Sequence, residues 1–207
     1  MPKLMTNMLQ IRISTCVKFI AIVALSFVFT LGGSQTTLAQ EEYDSLYYAG
    51  WSINYFDAEI EVHEDATATV VETIQTTFNE AWDKHGIFRE IPIRYHDDLY
   101  NAVNMDLDVV SVLQNGEPAQ YSVSKFGNDL RIKIGDPDVT ISGDVTYQIT
   151  YEVGRVFLYF DDRDELYWNV TGDEWEVPIY NVTAVVVLPD GAEIVDSACY
   201  TGYEGST

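Results

Sequence analysis

Apolar and polar positions alternate along most of this chain with the period of a β-strand. Residues 56–63 (FDAEIEVH) switch at nearly every step, which is the pattern of a strand with one face buried. Glu64 and Asp65 supply a turn, and residues 66–78 (ATATVVETIQTTF) resume as a second strand rich in Thr and Val, so the two predict a hairpin. Shorter strands are predicted over 103–113, 120–126 and 130–134, punctuated by Asn115-Gly116 and Gly127-Asn128, dipeptides that favour tight antiparallel connections. The clearest strand is 145–153 (VTYQITYEV), with every odd position apolar or aromatic and every even one polar. Residues 156–160 and 181–188 follow, the latter bounded by Pro189-Asp190-Gly191. There is no sustained heptad, long amphipathic helix or internal repeat. The expected fold is all-β, an antiparallel sandwich of immunoglobulin or fibronectin type. Residues 200–207 (YTGYEGST) read as a turn leading to another strand, so the sandwich is expected to be incomplete at its carboxyl end, as in a truncated or partial sequence.

One position breaks the pattern. On the second strand Ala68, Val70, Glu72, Ile74, Thr76 and Phe78 share a face, which puts a carboxylate among apolar neighbours. An unpaired buried charge costs several kcal/mol or is neutralised by protonation, so Glu72 calls for a cationic partner. The segment 83–94 (DKHGIFREIPIR) follows directly and carries Lys84, Arg89 and Arg94. The expectation is that Arg89 folds back onto Glu72 as a bidentate pair, tying this excursion to the sheet. A catalytic acid at Glu72 is the alternative. His85, before Gly86, reads as a turn residue.

Charge and cysteine content narrow the setting. The 207 residues contain 11 Lys+Arg and 33 Asp+Glu, a formal net charge of −22. Lys3, Arg12 and Lys18, the uncharged run 19–31 and a small, polar stretch ending at Ala39 have the layout of an export signal, too short in its apolar part to span a bilayer comfortably. Residues 1–39 are therefore expected to be a signal peptide, with a retained amino-terminal anchor as the alternative, 40–50 a linker, and 51–207 the folded domain. Cleavage after Ala39 leaves 8 basic against 33 acidic residues, a net of −25. Such a surface repels nucleic acid phosphates and favours cations and basic partners, which excludes a nucleic-acid-binding role. Only Cys199 lies beyond the leader, so the domain must be held by its core rather than by a disulfide.

Candidate chemistry concentrates in DELYWNVTGDEWEVPIY, residues 164–180. No catalytic residue is assigned and no cofactor or metal is expected, but three roles are open. Calcium would draw on Asp161, Asp162, Asp164, Glu165, Asp173 and Glu174, although the spacing lacks a D-x-[DN]-x-[DN]-G loop. A calcium-stabilised adhesion module would follow from that. A carbohydrate-active enzyme of the envelope would use two carboxylates within 161–176 beside Trp168 and Trp175. Recognition without chemistry would present Tyr167, Trp168 and Trp175 to a basic peptide or a cell-wall polymer. Against all three stands a purely structural reading, in which these aromatics bury against the sheet while the acids face water. No Ser-His-Asp arrangement and no paired His or Cys spacing is present.

Several segments in order resemble one family. They are 56–62, Val71-Glu72-Thr73-Ile74, 85–92 (HGIFREIP), Ile134-Gly135-Asp136, Gly143 with 146–151 (TYQITY), 164–172 (DELYWNVTG) with Trp175, Val187-Leu188-Pro189 and Tyr200-Thr201-Gly202. Together they are similar to the DUF2207 family of predicted bacterial membrane proteins. The resemblance implies an exported, β-rich amino-terminal domain at the extracytoplasmic face of the cytoplasmic membrane, attached through membrane-spanning helices in a part beyond this sequence. It carries over no activity and no catalytic residues.

Overall fold

The computed structural model describes residues 6–14, 22–25, 49–96, 102–160 and 164–202. In chain order its strands are β1 (Thr6–Ser14), β2 (Ile22–Leu25), β3 (Trp51–Val62), β4 (Ala68–Phe78), β5 (Ile87–Pro92), β6 (Arg94–His96), β7 (Ala102–Asn104) and β8 (Asp106–Gln114). They continue with β9 (Glu117–Pro118), β10 (Tyr121–Phe126), β11 (Asp129–Ile134), β12 (Gly143–Gly154), β13 (Phe157–Tyr159), β14 (Asp164–Asn169), β15 (Val182–Val187) and β16 (Glu193–Gly202). The fold is all-β and predominantly antiparallel, and the described residues contain no helix.

The largest sheet has seven strands in the order β2-β15-β3-β4-β12-β8-β9. Its centre is the period-two part of the sequence. Phe56, Ala58, Ile60 and Val62 of β3, Ala68, Val70 and Ile74 of β4, and Val145, Tyr147, Ile149, Tyr151 and Val153 of β12 all point to one buried face. Ala66, at φ 64°, reverses the chain between β3 and β4, and the Asp65 carboxylate accepts the Thr67 N–H at 3.1 Å and its hydroxyl at 2.7 Å. The second predicted strand thus begins at Ala68 rather than at residue 66, because Ala66 and Thr67 are spent on the turn. One pairing departs from antiparallel: β15 lies parallel to β3, with Val182 opposite Phe56 and Val187 opposite Glu61.

A three-stranded sheet (β10-β11-β5) and a four-stranded sheet (β13-β14-β1-β16) both lay apolar faces on that core. Ile87 and Ile91 of β5, Ile132 and Ile134 of β11, and Leu166 and Trp168 of β14 join the same buried cluster as the β3, β4 and β12 residues. Two segments of the first forty residues also enter sheets, β1 between β14 and β16 and β2 against β15. Segment 83–94, expected as an excursion, instead contributes a regular strand, β5. It pairs with β11 from Ile87↔Ile134 to Pro92↔Asp129. The entry to β5 is tight: a Cβ on Gly86 would stand 1.8 Å from the Ile134 carbonyl oxygen, and one on Gly135 2.0 Å from that of His85. Backbone meets backbone there, and only glycine fits both sides.

Candidate functional site: a buried ion-pair hub beside a cavity

Glu72 and Arg89 meet in the core, at 0% and 1% exposure. Arg89 Nε donates to Glu72 Oε2 at 2.7 Å and Nη2 to Glu72 Oε1 at 2.7 Å, a fork-on-fork contact that fixes orientation as well as charge. The remaining guanidinium hydrogens reach backbone oxygens: Nη1 donates to Glu90 at 2.7 Å and Thr171 at 2.8 Å, and Nη2 to Val170 at 3.3 Å. All five donors of the fork are used. The Tyr151 hydroxyl completes the cluster by donating to Glu72 Oε1 at 2.6 Å. Burial pushes the Tyr151 phenol well above its ordinary range, and the neighbouring Glu72 carboxylate pushes the same way. Burial would lower the Arg89 pKa, but the charge of Glu72 opposes it and the net direction is upward. The guanidinium is held as a cation.

Arg89 therefore joins three pieces of chain: β5 itself, β4 of the opposing sheet, and the loop after β14. Its flat faces are covered by Phe56, 5.3 Å from Cζ to ring centroid, and Trp175, at 5.9 Å. The Trp175 Nε1 donates to Thr171 O at 2.7 Å, so the loop carries its own brace. Gly172 closes this contact. Its φ is +73°, and a Cβ there would lie 2.7 Å from Arg89 Nη1.

Beside this hub, between the end of β5, the β10–β11 turn and β14 with its following loop, is a cavity of about 340 Å³. Ile91, Pro92 and Met105 form an apolar part of its lining, to which Asn128, Asn169, Tyr167 and Trp168 also contribute. Its charged residues are Arg94, Asp129, Asp173 and Glu174. Trp168 is buried and stacks on Tyr151 at 6.5 Å with 18° between planes, while its indole N–H finds no acceptor among the described residues. That is unusual, since a buried donor without a partner loses its hydration uncompensated.

The acidic aromatic stretch is thus divided. Asp164–Asn169 is a strand, and Tyr167 and Trp168 border the cavity while Trp175 does not. Trp175 is buried against Trp51 at 6.0 Å and Phe56 at 6.3 Å and borders only a small depression with Phe88, Glu90 and Glu174. The expectation that the acids all face water fails at Glu165, which is buried. Asp173 and Glu174 line the cavity, Asp164 lies on β14 opposite Tyr159, and Asp161 and Asp162 lie outside the described residues. Among the described residues no three His, Cys, Asp or Glu side chains are grouped to hold a metal. Nothing in the pattern marks Tyr151, Gly172 or Met105 as site residues, and Asn128 carries only a turn signal. Tyr151 had one available signal, since it shares the buried face of 145–153 and is polar at its tip.

The model of the predicted membrane protein (DUF2207) N-terminal domain matches residues 52–207. The chain belongs to this family. A DUF2207 relative, the uncharacterized protein YciQ of Escherichia coli strain K12, is 29% identical over 158 residues, which is 75% of this chain and 25% of YciQ. The chain thus spans about a quarter of the length of that curated relative. Among the described residues of this DUF2207 domain, no helix is long and apolar enough to cross a membrane. Among solved structures, native yeast LTA4 hydrolase superposes with a TM-score of 0.48 at 14% identity, over 76% of this chain and 27% of that one. An M1 zinc metallopeptidase from Deinococcus radiodurans gives 0.34 at 10% identity, over 50% and 20%. Both scores are too low to transfer structural detail or activity to the DUF2207 domain.

Proposed function

We propose that this DUF2207 domain is exported and works on the extracytoplasmic side of the membrane as a recognition or scaffolding module. The cavity beside the Arg89 hub carries the reading. It combines rings, amides, an apolar wall and charges in one concavity of the size that small ligands or single side chains occupy. Its walls are braced by a buried ion pair and its backbone contacts, which is how a site is held ready without reorganisation. The leader-like residues 1–39 support export, and the family's description as membrane proteins supports attachment through the rest of a longer chain. Asp173 and Glu174 in the same lining favour one competing reading, a glycosidase.

Retention of the whole chain on purified cell-wall sacculi, and on a panel of immobilised basic peptides, tests the module. Retention on one of these, reduced by combining Tyr167→Ala with Asn169→Ala, is expected. Release of reducing sugar from the sacculi during incubation would move the assignment to the glycosidase. Absence of retention on both supports would refute recognition at this cavity.

A further inference from the structure

We propose that the strand slot which β1 fills between β14 and β16 passes, in the exported protein, to a strand of the same polypeptide lying beyond residue 207. The inference rests on the export part of the reading above. β1 runs antiparallel to both neighbours, with Met8↔Asn169 to Ile13↔Asp164 on one side and Thr6↔Gly202 to Ser14↔Glu193 on the other. Along the chain, however, it precedes the uncharged run 19–31, and β14 and β16 follow that run. Export carries residues 164–202 outward. A leader cut after Ala39 is removed together with β1, and a retained anchor keeps Lys3, Arg12 and Lys18 on the inner side, so under either reading β1 is parted from its sheet.

The second observation is what that parting leaves. β2 sits at the end of its sheet, next to β15 alone, so its departure bares one edge. β1 is internal: the strand order is β13-β14-β1-β16, and among the described residues β16 pairs with no other strand. Glu193–Gly202 is left without a ladder, beside a second bare edge on β14. Rows of unpaired N–H and C=O groups are templates for a new strand. The register sets the chemistry of that strand. Residues opposite one another share a face, so the positions facing Leu166 and Trp168, both buried in the core cluster, call for apolar side chains in alternation.

The third observation is the entrance to the slot. β1 begins at Thr6, opposite Gly202, the last residue of β16. A polypeptide that continues past Gly202 and reverses enters at that end and runs antiparallel to both β14 and β16, as β1 does. The composition of residues 200–207, with Gly202 and Gly205, suits such a reversal. A strand tethered there arrives at high effective concentration, whereas one from a second molecule loses its translational freedom. The chain spans about a quarter of YciQ, and a sheet closed in this way joins the domain directly to the part that follows it.

Disulfide trapping at Cys199, an exposed free thiol opposite Leu9 in the register, tests this in the natural full-length protein recovered from the envelope. Cysteines are placed singly after residue 207. Loss of the Cys199 thiol to an intramolecular disulfide is expected in most molecules at one position and not at its sequence neighbours, which face the other side of the sheet. Amide exchange over residues 193–202 of the unsubstituted protein should be as slow as in the 207-residue chain made without export. Exchange there about tenfold faster, or no disulfide at any position, would overturn the proposal and leave export standing. So would a disulfide between molecules, which assigns the slot to a second copy, or a natural protein that ends at residue 207. Leu9→Cys joined to Cys199 in protein that stays inside the cell would remove the export reading and the proposal with it.

Discussion

Replacing Arg89 by Met tests whether the hub holds the domain together. Met fills a similar volume without charge or donors, so Glu72 would remain at 0% exposure with only the Tyr151 hydroxyl against it. The carbonyl of Val170 would lose a donor at 3.3 Å and that of Glu90 one at 2.7 Å, although Thr171 O would keep the Trp175 indole. Breaking a buried pair from one side typically costs about 3–5 kcal/mol, mostly as the penalty of the stranded charge. Against a total stability of about 5–15 kcal/mol this is a large fraction. At roughly 2–4 °C per kcal/mol for a domain of this size, the melting temperature should fall by about 6–20 °C. Urea and thermal unfolding of the whole chain would measure it. Arg131→Met is the control, because its pair with Glu90 is only partly buried, at 28% and 9% side-chain exposure, so water still reaches the site and the loss should be smaller than at the fully buried hub. The triple change Glu72→Leu, Arg89→Met, Tyr151→Phe should recover much of the loss, since a well-packed apolar cluster leaves nothing stranded. An Arg89→Met loss no greater than that of Arg131→Met would refute the account of the hub.

Two further outcomes follow from single positions. Gly172→Ala should destabilise by about 1–3 kcal/mol, the usual cost of a left-handed residue that is not glycine, because Arg89 Nη1 is pinned 2.7 Å from the new Cβ. Gly127→Ala, also at positive φ but with open space around it, should cost less, and equal losses by urea unfolding would show that the approach to Arg89 is not the cause. Tyr147 is buried with an unpartnered hydroxyl and a pKa raised by burial above its ordinary 10.0. Its neutral form is favoured in the fold, so its contribution is fully present below about pH 10, where the unfolded chain begins to ionise, and is lost as pH rises toward the folded pKa. Tyr147→Phe should be neutral or stabilising at pH 7 and should flatten the loss of stability above about pH 10; an unchanged alkaline slope would count against this.

Legibility in the sequence followed the locality of each signal. The strands at residues 56–63 and 145–153 were plain because each has one buried face, and period two is visible within a few residues. Glu72 was visible for the same reason, as a charge on the wrong face, and the shortage of basic residues pointed to Arg89. The strand β5 was hidden because its own inward set is Ile87, Arg89 and Ile91, so the charge that anchors it also breaks its apolar alternation. In β14, Glu165 and Leu166 are buried in succession, which erases the period there. The parallel pairing of β15 with β3 left no trace either, since alternation marks which side a residue faces and not which way a neighbour runs.

By itself, then, the sequence determined an acidic all-β chain, the faces of its central strands, a carboxylate that needed a cation, and its family. These depend on side-chain chemistry and spacing within short stretches. The tertiary structure decided the rest. Tyr151 joins Glu72 across 79 positions, Arg89 reaches Thr171 across 82, and residues from β5, the β10–β11 turn and β14 enclose one cavity. It also took both tryptophans into the core, Trp175 against Phe56 and Arg89 and Trp168 stacked on Tyr151 with an indole N–H that meets no acceptor among the described residues. Such outcomes rest on how sheets stack and where a layer leaves a gap, and no local pattern encodes a distance between segments eighty residues apart.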